Sequence, residues 1–188
     1  MVMRIGNFRI SRLFRPFNRM AGDKSGVSAV EFALIAPLML TLYLGGNEFG
    51  HAFTLKRKVS HVTSTIADLV TQSRKITDAD MENIFDAAEE ILWPYDVAEA
   101  RMLVTLIKID EDSEATVVWS DGRNETALTA GDPIEVPDSI LTADTYLLST
   151  EVHIDHTPTI GYVLSGTLDL TDHFFLRPRQ GSTIQRPD

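Results

Sequence analysis

A single carboxylate inside a long apolar run is the feature of this sequence that most requires a chemical explanation. From Val27 to Gly46 there are twenty residues, and Glu31 is the only one charged at neutral pH. A helix of that length spans about 30 Å, the thickness of the hydrocarbon core of a bilayer. An unpaired carboxylate in that layer costs about 3 kcal/mol by insertion scales. We therefore expect a membrane-spanning helix in which Glu31, five residues after Gly26, is present for a functional reason.

Other residues could support metal binding or catalysis, but their spacing does not favour such sites. His153 and His156 flank Asp155, yet on a strand the two histidines would point to opposite faces. The acidic run 110–114 lacks the central glycine and the spacing of a calcium loop. The sequence contains no Gly-x-Ser-x-Gly motif, no glycine-rich phosphate loop and no cysteine. We therefore predict a protein that is not an enzyme and has no metal site, cofactor or small-molecule substrate.

The charges on either side of the apolar run predict its orientation in a membrane. Residues 1–26 contain six basic residues and one acidic residue, whereas the chain after Gly50 contains 11 basic and 24 acidic residues. Basic segments remain on the cytoplasmic side, so the N-terminus should be cytoplasmic and the acidic part should be translocated. The basic triplet 56–58 weakens this bias without reversing it. Because a spanning segment follows the basic leader directly, we do not expect the leader to bind nucleic acid.

Two other kinds of N-terminal segment compete with this interpretation. The apolar region of a cleaved secretory signal peptide usually has about 7–15 residues and ends in a small-x-small cleavage site. The run here is longer and ends in Leu-Gly-Gly-Asn-Glu-Phe-Gly at 44–50. An uncleaved signal anchor, with Glu31 as an incidental interfacial residue, remains the other alternative.

Helical periodicity continues beyond the apolar run. Apolar residues recur there at intervals of 4, 3, 4 and 3 positions, at Leu55, Val59, Val62, Ile66 and Leu69. Proline and glycine are absent from 51–76. We therefore predict one long helix over about 27–73 that is lipid-embedded in its first half and amphipathic in its second, with bends at Pro37 and at Gly45-Gly46. The stripe should pack on the chain's own domain and could also contact neighbouring subunits.

The remaining sequence predicts a second helix followed by a sheet. A Thr-Asp-Ala-Asp sequence at 77–80 resembles a capping box, and Pro94 should end the helix that follows it. Apolar residues lie at helical spacing between them, at Met81, Ile84, Phe85, Ala88, Ile91 and Leu92. Four segments then favour strands, namely 102–109, 115–119, 146–154 and 168–176. Residues 111–114 suit a hairpin turn and 121–145 a loop, so the fold class is α+β with a small antiparallel sheet.

Three stretches of the sequence together match the pattern of a known family. The first is 26–50, which begins with GVSAVEFAL and ends with EFG. The second is 66–94, with TQS and NIFDAA, and the third is 151–158 together with the Arg-Pro-Arg at 177–179. In these stretches the chain resembles the TadE-like pseudopilins, or minor pilins, of the tight-adherence (Tad, or Flp) pilus system. His153 and His156 depart from the family pattern, in which aromatic residues are more usual there.

The resemblance implies specific roles for four residues. A prepilin peptidase would cleave between Gly26 and Val27, and Glu31 and Phe32 would then act in subunit assembly. Gly26 has no side chain, so the backbone can approach a protease closely. The freed amine of Val27 is a cation that the Glu31 carboxylate of a neighbouring subunit could neutralise as helices stack, and burying either charge alone would be costly.

These observations lead to one predicted function and one alternative. The predicted function is that of a TadE-like pseudopilin in the assembly of a type IVb (Flp/Tad) adhesive pilus. The alternative is an unprocessed, membrane-anchored periplasmic binding or scaffold protein. We predict a cytoplasmic leader at 1–26, a transmembrane helix at 27–50 and a periplasmic α+β domain at 51–188. The protein would be a single-pass protein of the inner membrane, and its partners would be that membrane, a prepilin peptidase and other pilins and pseudopilins.

Overall fold

A long helix, a short helix and one antiparallel sheet make up the fold. The computed structural model describes residues 24–95, 100–158, 161 and 166–187. The predicted basic leader therefore lies outside the described residues except for its last three positions. The helices are α1 (Lys24–Thr71) and α2 (Asp78–Leu92). The strands are β1 (Arg101–Ile109), β2 (Ala115–Arg123), β3 (Thr145–His156) and β4 (Leu168–Leu176). They form a single antiparallel sheet in the order β2-β1-β3-β4, so the predicted α+β class is confirmed.

Helix α1 is continuous over 48 residues, including the proline and the glycine pair of its apolar half. Pro37 has no N–H to donate within the helix, but one turn later the hydroxyl of Thr41 donates to the Pro37 carbonyl oxygen at 2.9 Å. Internal bonds of this kind allow a helix that contains proline to persist in lipid. The predicted bounds, about 27–73, agree closely with Lys24–Thr71.

Burial divides α1 into two halves. No residue from 26 to 47 is buried, whereas from Glu48 onward one face of the helix is covered. The predicted stripe is confirmed at Leu55, Val59, Val62 and Ile66.

The prediction for Leu69 was wrong, because this side chain is 40% exposed and Val70 is buried instead. The buried positions advance in steps of four through Val59, Thr63, Ala67 and Thr71. Each such step turns the helix about 40° beyond a full turn, so the buried face leaves the heptad register.

Helix α2 begins and ends as its sequence predicts. The Thr77 backbone N–H donates to Asp80 Oδ2 at 3.0 Å, and the Asp80 N–H donates to the Thr77 hydroxyl at 3.3 Å, which completes the capping box. At the other end, Trp93 leaves the helical region with ψ 138° directly before Pro94. The helix packs on α1 through Met81, Phe85, Ala88 and Leu92.

The sheet has an apolar cluster on each face. Its larger core lies against the two helices and includes Leu106 and Leu148, which pair across β1 and β3. Successive side chains of a strand point to opposite faces, so Ile107 and Ile109 belong to the second cluster. The register shift is a bulge in β2, where Val118 has no partner on β1, and it places Trp119 in the larger core. Segments of the loop after β2 cover this second face with Ile134, Val136, Ile140 and Leu141.

The edge strand β2 is also paired with that loop. Val117 N–H donates to Asp132 O at 2.9 Å, and Ile134 N–H donates to Ala115 O at 3.0 Å. Strand β2 itself continues to Arg123, four residues beyond the predicted end at Trp119. The loop therefore protects an edge that would otherwise expose unpaired backbone groups.

Candidate functional site

The predicted cleavage residues lie in the first turn of α1. Gly26 and Val27 follow the first helical residue, Lys24, by two and three positions. Both residues are exposed, and a β-carbon placed on Gly26 would meet no atom within 4 Å. Packing among the residues that the structure describes therefore does not explain why position 26 is a glycine.

The structure places Glu31 one helical turn after Val27. Residues four apart lie on the same side of a helix, about 6 Å apart along its axis. Glu31 is exposed, and it forms no ion pair within the part of the chain that the structure describes. Phe32 beside it is 73% exposed. In hydrocarbon, such a carboxylate would gain from a cationic partner outside its own helix.

The surface around these residues is almost entirely apolar. Helix α1 contains a segment that is long and apolar enough to cross a membrane, with a mean hydropathy of 1.9 and no buried residue. Its large exposed apolar residues include Val30, Phe32, Leu34, Ile35, Leu38, Met39, Leu40, Leu42 and Tyr43. This half of the helix is a candidate membrane anchor.

Glu48 marks where the helix enters the folded domain. Its side chain is 4% exposed, and Ala52 and Leu55 continue the same buried face at intervals of four and three residues. Sequence reasoning took Glu48 only as part of the motif that ends the apolar run. The spacing to Ala52 and Leu55 was the signal that could have predicted its burial.

In the basic triplet just beyond the apolar run, Lys56 and Lys58 make contacts within the domain, whereas Arg57 is exposed. Lys56 donates to the Thr171 carbonyl and lies 3.3 Å from Asp172 Oδ1, so it holds the edge strand β4. Lys58 donates to the carbonyl oxygens of Ile91 and Trp93 at 2.9 and 2.6 Å. A cation at the last carbonyls of a helix stabilises that end.

Arg57 lies between these two lysines and is exposed. It forms no ion pair with any residue in the described ranges. It lines an open cleft of about 330 Å³ together with Phe53, Thr54, Lys58, His61 and Ile91.

The two histidines of strand β3 have separate environments. His153 Nδ1 lies 2.7 Å from the Thr171 hydroxyl and 2.9 Å from Asp169 Oδ1. Its Nε2 is 3.2 Å from Asp155 Oδ1, in a geometry that makes no hydrogen bond. His156 instead packs edge-on against Tyr95. Within the described ranges, no three His, Asp or Glu side chains are grouped so that they could hold a metal ion.

Two arginines that sequence reasoning missed connect distant elements. Arg123 contacts Asp86 at 2.7 Å and Glu89 at 3.0 Å, and hydrogen bonding to Asp86 raises the pKa of its guanidinium. Arg186 binds both carboxylate oxygens of Asp121, and this hydrogen bonding raises the pKa of Arg186 despite its burial. These contacts join α2 and the C-terminal segment to β2. They hold these parts of the domain together.

The comparison with known proteins concerns the N-terminal part of the chain. Residues 26–68 match the family model of TadE-like proteins. The match begins at the predicted cleavage glycine and includes the whole apolar half of α1. It confirms the resemblance over these residues and points to a protein associated with Tad pilus systems. No curated protein and no solved structure gives a significant match to the chain.

Proposed function

We infer that the protein is a pseudopilin of a Tad pilus system that takes part in pilus assembly. Its apolar helix would anchor it in the inner membrane, with the leader in the cytoplasm and the α+β domain in the periplasm. A prepilin peptidase would cleave after Gly26. The processed helix would then pack with the helices of other pilins and pseudopilins.

The single observation that carries this proposal is the exposed, apolar first half of α1 with one carboxylate near its start. A helix that served only its own domain would bury one face along its length, as α1 does from Glu48 onward. From 26 to 47 it buries none. Lipid can cover such a surface before assembly, and neighbouring helices can cover it afterwards.

Glu31 and Val27 supply the chemistry that would give assembly a preferred register. Cleavage would create a cationic amine at Val27 on the same side of the helix as Glu31. The amine and the carboxylate of two stacked subunits would neutralise each other in a medium where either charge alone is costly. Phe32, exposed beside Glu31, would contribute apolar contact area between the helices.

The N-terminus of the protein isolated from membranes tests the proposal. Cells that express the full chain together with a prepilin peptidase should yield a protein that starts at Val27 and is roughly 3 kDa lighter than the precursor. Cells without the peptidase should yield the precursor. A chain that starts at Met1 in both would support the unprocessed periplasmic binding or scaffold protein instead.

A further inference from the structure

We propose that the outward face of α1 just beyond its apolar run binds the headgroups of anionic phospholipids. This headgroup surface consists of Phe49, Phe53, Arg57 and His61. The proposal requires that the apolar half of α1 spans a membrane, and it goes beyond the proposed function because it requires neither cleavage nor pilus assembly.

The four residues form one stripe. They are four positions apart, so each lies one turn beyond the previous residue and about 40° around the helix axis from it, and all four are exposed. The rings of Phe49 and Phe53 are stacked with centroids 6.3 Å apart. Along the helix, the headgroup surface thus changes from two aromatic residues near the apolar run to an arginine and a histidine farther from it.

The position of the stripe matches the depth of a lipid headgroup layer. Counting from Gly50, the end of the predicted transmembrane helix, Phe53 is about 5 Å and Arg57 about 10 Å farther along the axis. The polar region of a bilayer extends roughly 5–8 Å beyond the hydrocarbon on each side. Side chains of a helix lean toward its N-terminus, which directs the long Arg57 side chain back toward the membrane. Its guanidinium can therefore reach the phosphate level while Phe53 lies at the boundary.

The charge of this region favours an anionic ligand. From 51 to 67, the chain has three Lys or Arg residues, two histidines and no acidic residue. Lys56 and Lys58 are directed to β4 and to the end of α2. Glu89, on the neighbouring helix, is bound by Arg123. Among the described residues, Arg57 is thus the cation of the triplet that is available to a phosphate, and a guanidinium can bind two phosphate oxygens at once.

The end of α2 adds an aromatic residue at the same level. Helix α2 ends where Lys58 binds the Ile91 and Trp93 carbonyl oxygens, which holds Trp93 beside this part of α1. The Trp93 side chain is large and aromatic, yet it is 73% exposed. Tryptophan is enriched where proteins cross the interface between water and hydrocarbon. Contact with lipid headgroups would therefore explain why the aromatic rings and Arg57 are exposed in the same part of the molecule.

Lipid binding can be measured directly with the full chain in detergent. The protein would be incubated with equimolar phosphatidylglycerol and phosphatidylcholine of the same acyl chains, and the bound lipids would be counted by native mass spectrometry. The wild type should retain more phosphatidylglycerol. Arg57→Gln should lose about fivefold of this preference, the factor that follows from the contribution of one basic residue at an anionic surface.

Arg74→Gln is the matched control, since Arg74 is exposed, lies beyond the far end of α1 and undergoes the same change of charge. It should keep the wild-type preference. Equal preference in the wild type and Arg57→Gln, or an equal loss in Arg74→Gln, would overturn the proposal. Neither measurement depends on cleavage or on a pilus, so its outcome is separate from that of the proposed function.

Cross-linking distinguishes lipid from a second copy of the chain on the same surface. The sequence has no cysteine, so Phe53→Cys introduces a single thiol. In bilayers that contain phosphatidylglycerol, the Phe53→Cys protein should remain monomeric under oxidising conditions, because a thiol that faces lipid has no second thiol to react with. Efficient formation of a disulfide-linked dimer would instead show that another subunit covers the stripe.

Discussion

The guanidinium of Arg186 binds the carboxylate of Asp121 through two hydrogen bonds, of 2.6 and 2.7 Å, across 65 positions of sequence. The same side chain contacts Asp78 Oδ1 at 2.7 Å, in the first turn of α2. Next to it, Ile184 is buried in the core, and its carbonyl oxygen accepts a bond from the Trp119 indole. The C-terminal segment therefore fastens α2 to the sheet.

Replacing this arginine should destabilise the domain. Arg186→Met would leave the Asp121 carboxylate, which is only 21% exposed, without its bidentate partner. Bonds to charged groups contribute about 1.5–3 kcal/mol, so we expect a loss of about 2 kcal/mol in the free energy of unfolding. Thermal unfolding of the full chain in detergent, followed by near-ultraviolet circular dichroism, measures this loss.

Arg179→Met provides the control for that measurement. Arg179 belongs to the same segment and contacts Asp68, but its side chain is 55% exposed. An exposed ion pair of this kind contributes about 1 kcal/mol or less. If the two variants unfolded at the same temperature, the contacts of Arg186 with Asp121 and Asp78 would not stabilise the domain as the geometry indicates.

The N-cap of α2 should make a measurable and pH-dependent contribution. Thr77→Ala removes the side chain that accepts the Asp80 N–H, and loss of an N-cap typically costs about 1 kcal/mol. Hydrogen bonds from Thr77 hold the pKa of Asp80 below its ordinary value of 3.8. The stabilisation by Asp80 is therefore present above pH 3.8 and is lost as the pH falls through the lowered pKa.

Thermal unfolding of the wild type and Thr77→Ala at neutral and acidic pH tests both statements. The difference between them should be largest at neutral pH and should shrink in acid as the Asp80 carboxylate is protonated. Thr65→Ala is a suitable control, because the Thr65 hydroxyl donates to the His61 carbonyl within α1 and not to the cap of α2. A constant difference across this pH range would contradict the role of Asp80 in the cap.

A pair of leucines tests which side of α1 packs on the rest of the domain. Leu55 is 1% exposed and Leu69 is 40% exposed, although both belong to the stripe predicted from spacing. Leu55→Ala should lower the free energy of unfolding by about 2–5 kcal/mol, as expected for a truncated core residue. Leu69→Ala should cost well under half as much. Equal losses would show that Leu69 is covered in the native protein, as its heptad position suggested.

Local signals account for most of the elements that could be predicted. The capping box at Thr77, the proline after Trp93 and the alternating strands all depend on residues close in sequence. The heptad spacing of α1 also gave four correct core positions. It failed at Leu69, because the helix follows the shape of its own domain rather than a second helix of a coiled coil.

Long-range contacts account for what the sequence did not reveal. Nothing near Ile184 or Arg186 is periodic, so their insertion against Trp119 and Asp121 has no local signature. The same holds for Ile134 and Val136, which lie in a loop by composition but cover the second face of the sheet. At the candidate assembly site the situation is reversed, since Gly26 and Glu31 are recognisable from sequence and are exposed in the part of the chain that the structure describes.

Gly26→Ala should block processing without affecting the fold. A β-carbon at this position meets no atom of the described residues within 4 Å, so α1 has no steric reason there to lose its helical structure. A peptidase that requires close approach to the backbone would meet it, and the precursor should accumulate. Gly46→Ala, where a β-carbon also meets nothing within 4 Å, should be processed normally. Mature protein of wild-type mass from Gly26→Ala would refute cleavage after this glycine.

Glu31→Gln should separate membrane insertion from assembly. The amide keeps the size of the side chain and removes a charge from the apolar run, so the protein should still be found in membranes and should still be processed. It should fail to support pilus assembly, because the Val27 amine of a neighbouring subunit would have no carboxylate to neutralise it. Glu31→Asp, which retains the charge on a shorter side chain, should restore part of the assembly.

Tyr43→Phe is the matched control, since it also removes a polar group from the exposed half of α1 but leaves Glu31 in place. It should assemble as the wild type does. The measurements are the mass of the membrane-bound protein and the amount of sheared pili. Normal pili from a processed Glu31→Gln protein would show that helix packing alone determines the register and that the carboxylate is incidental. Loss of pili in both variants would instead indicate that any change of polarity on this surface disrupts packing, whatever the charge.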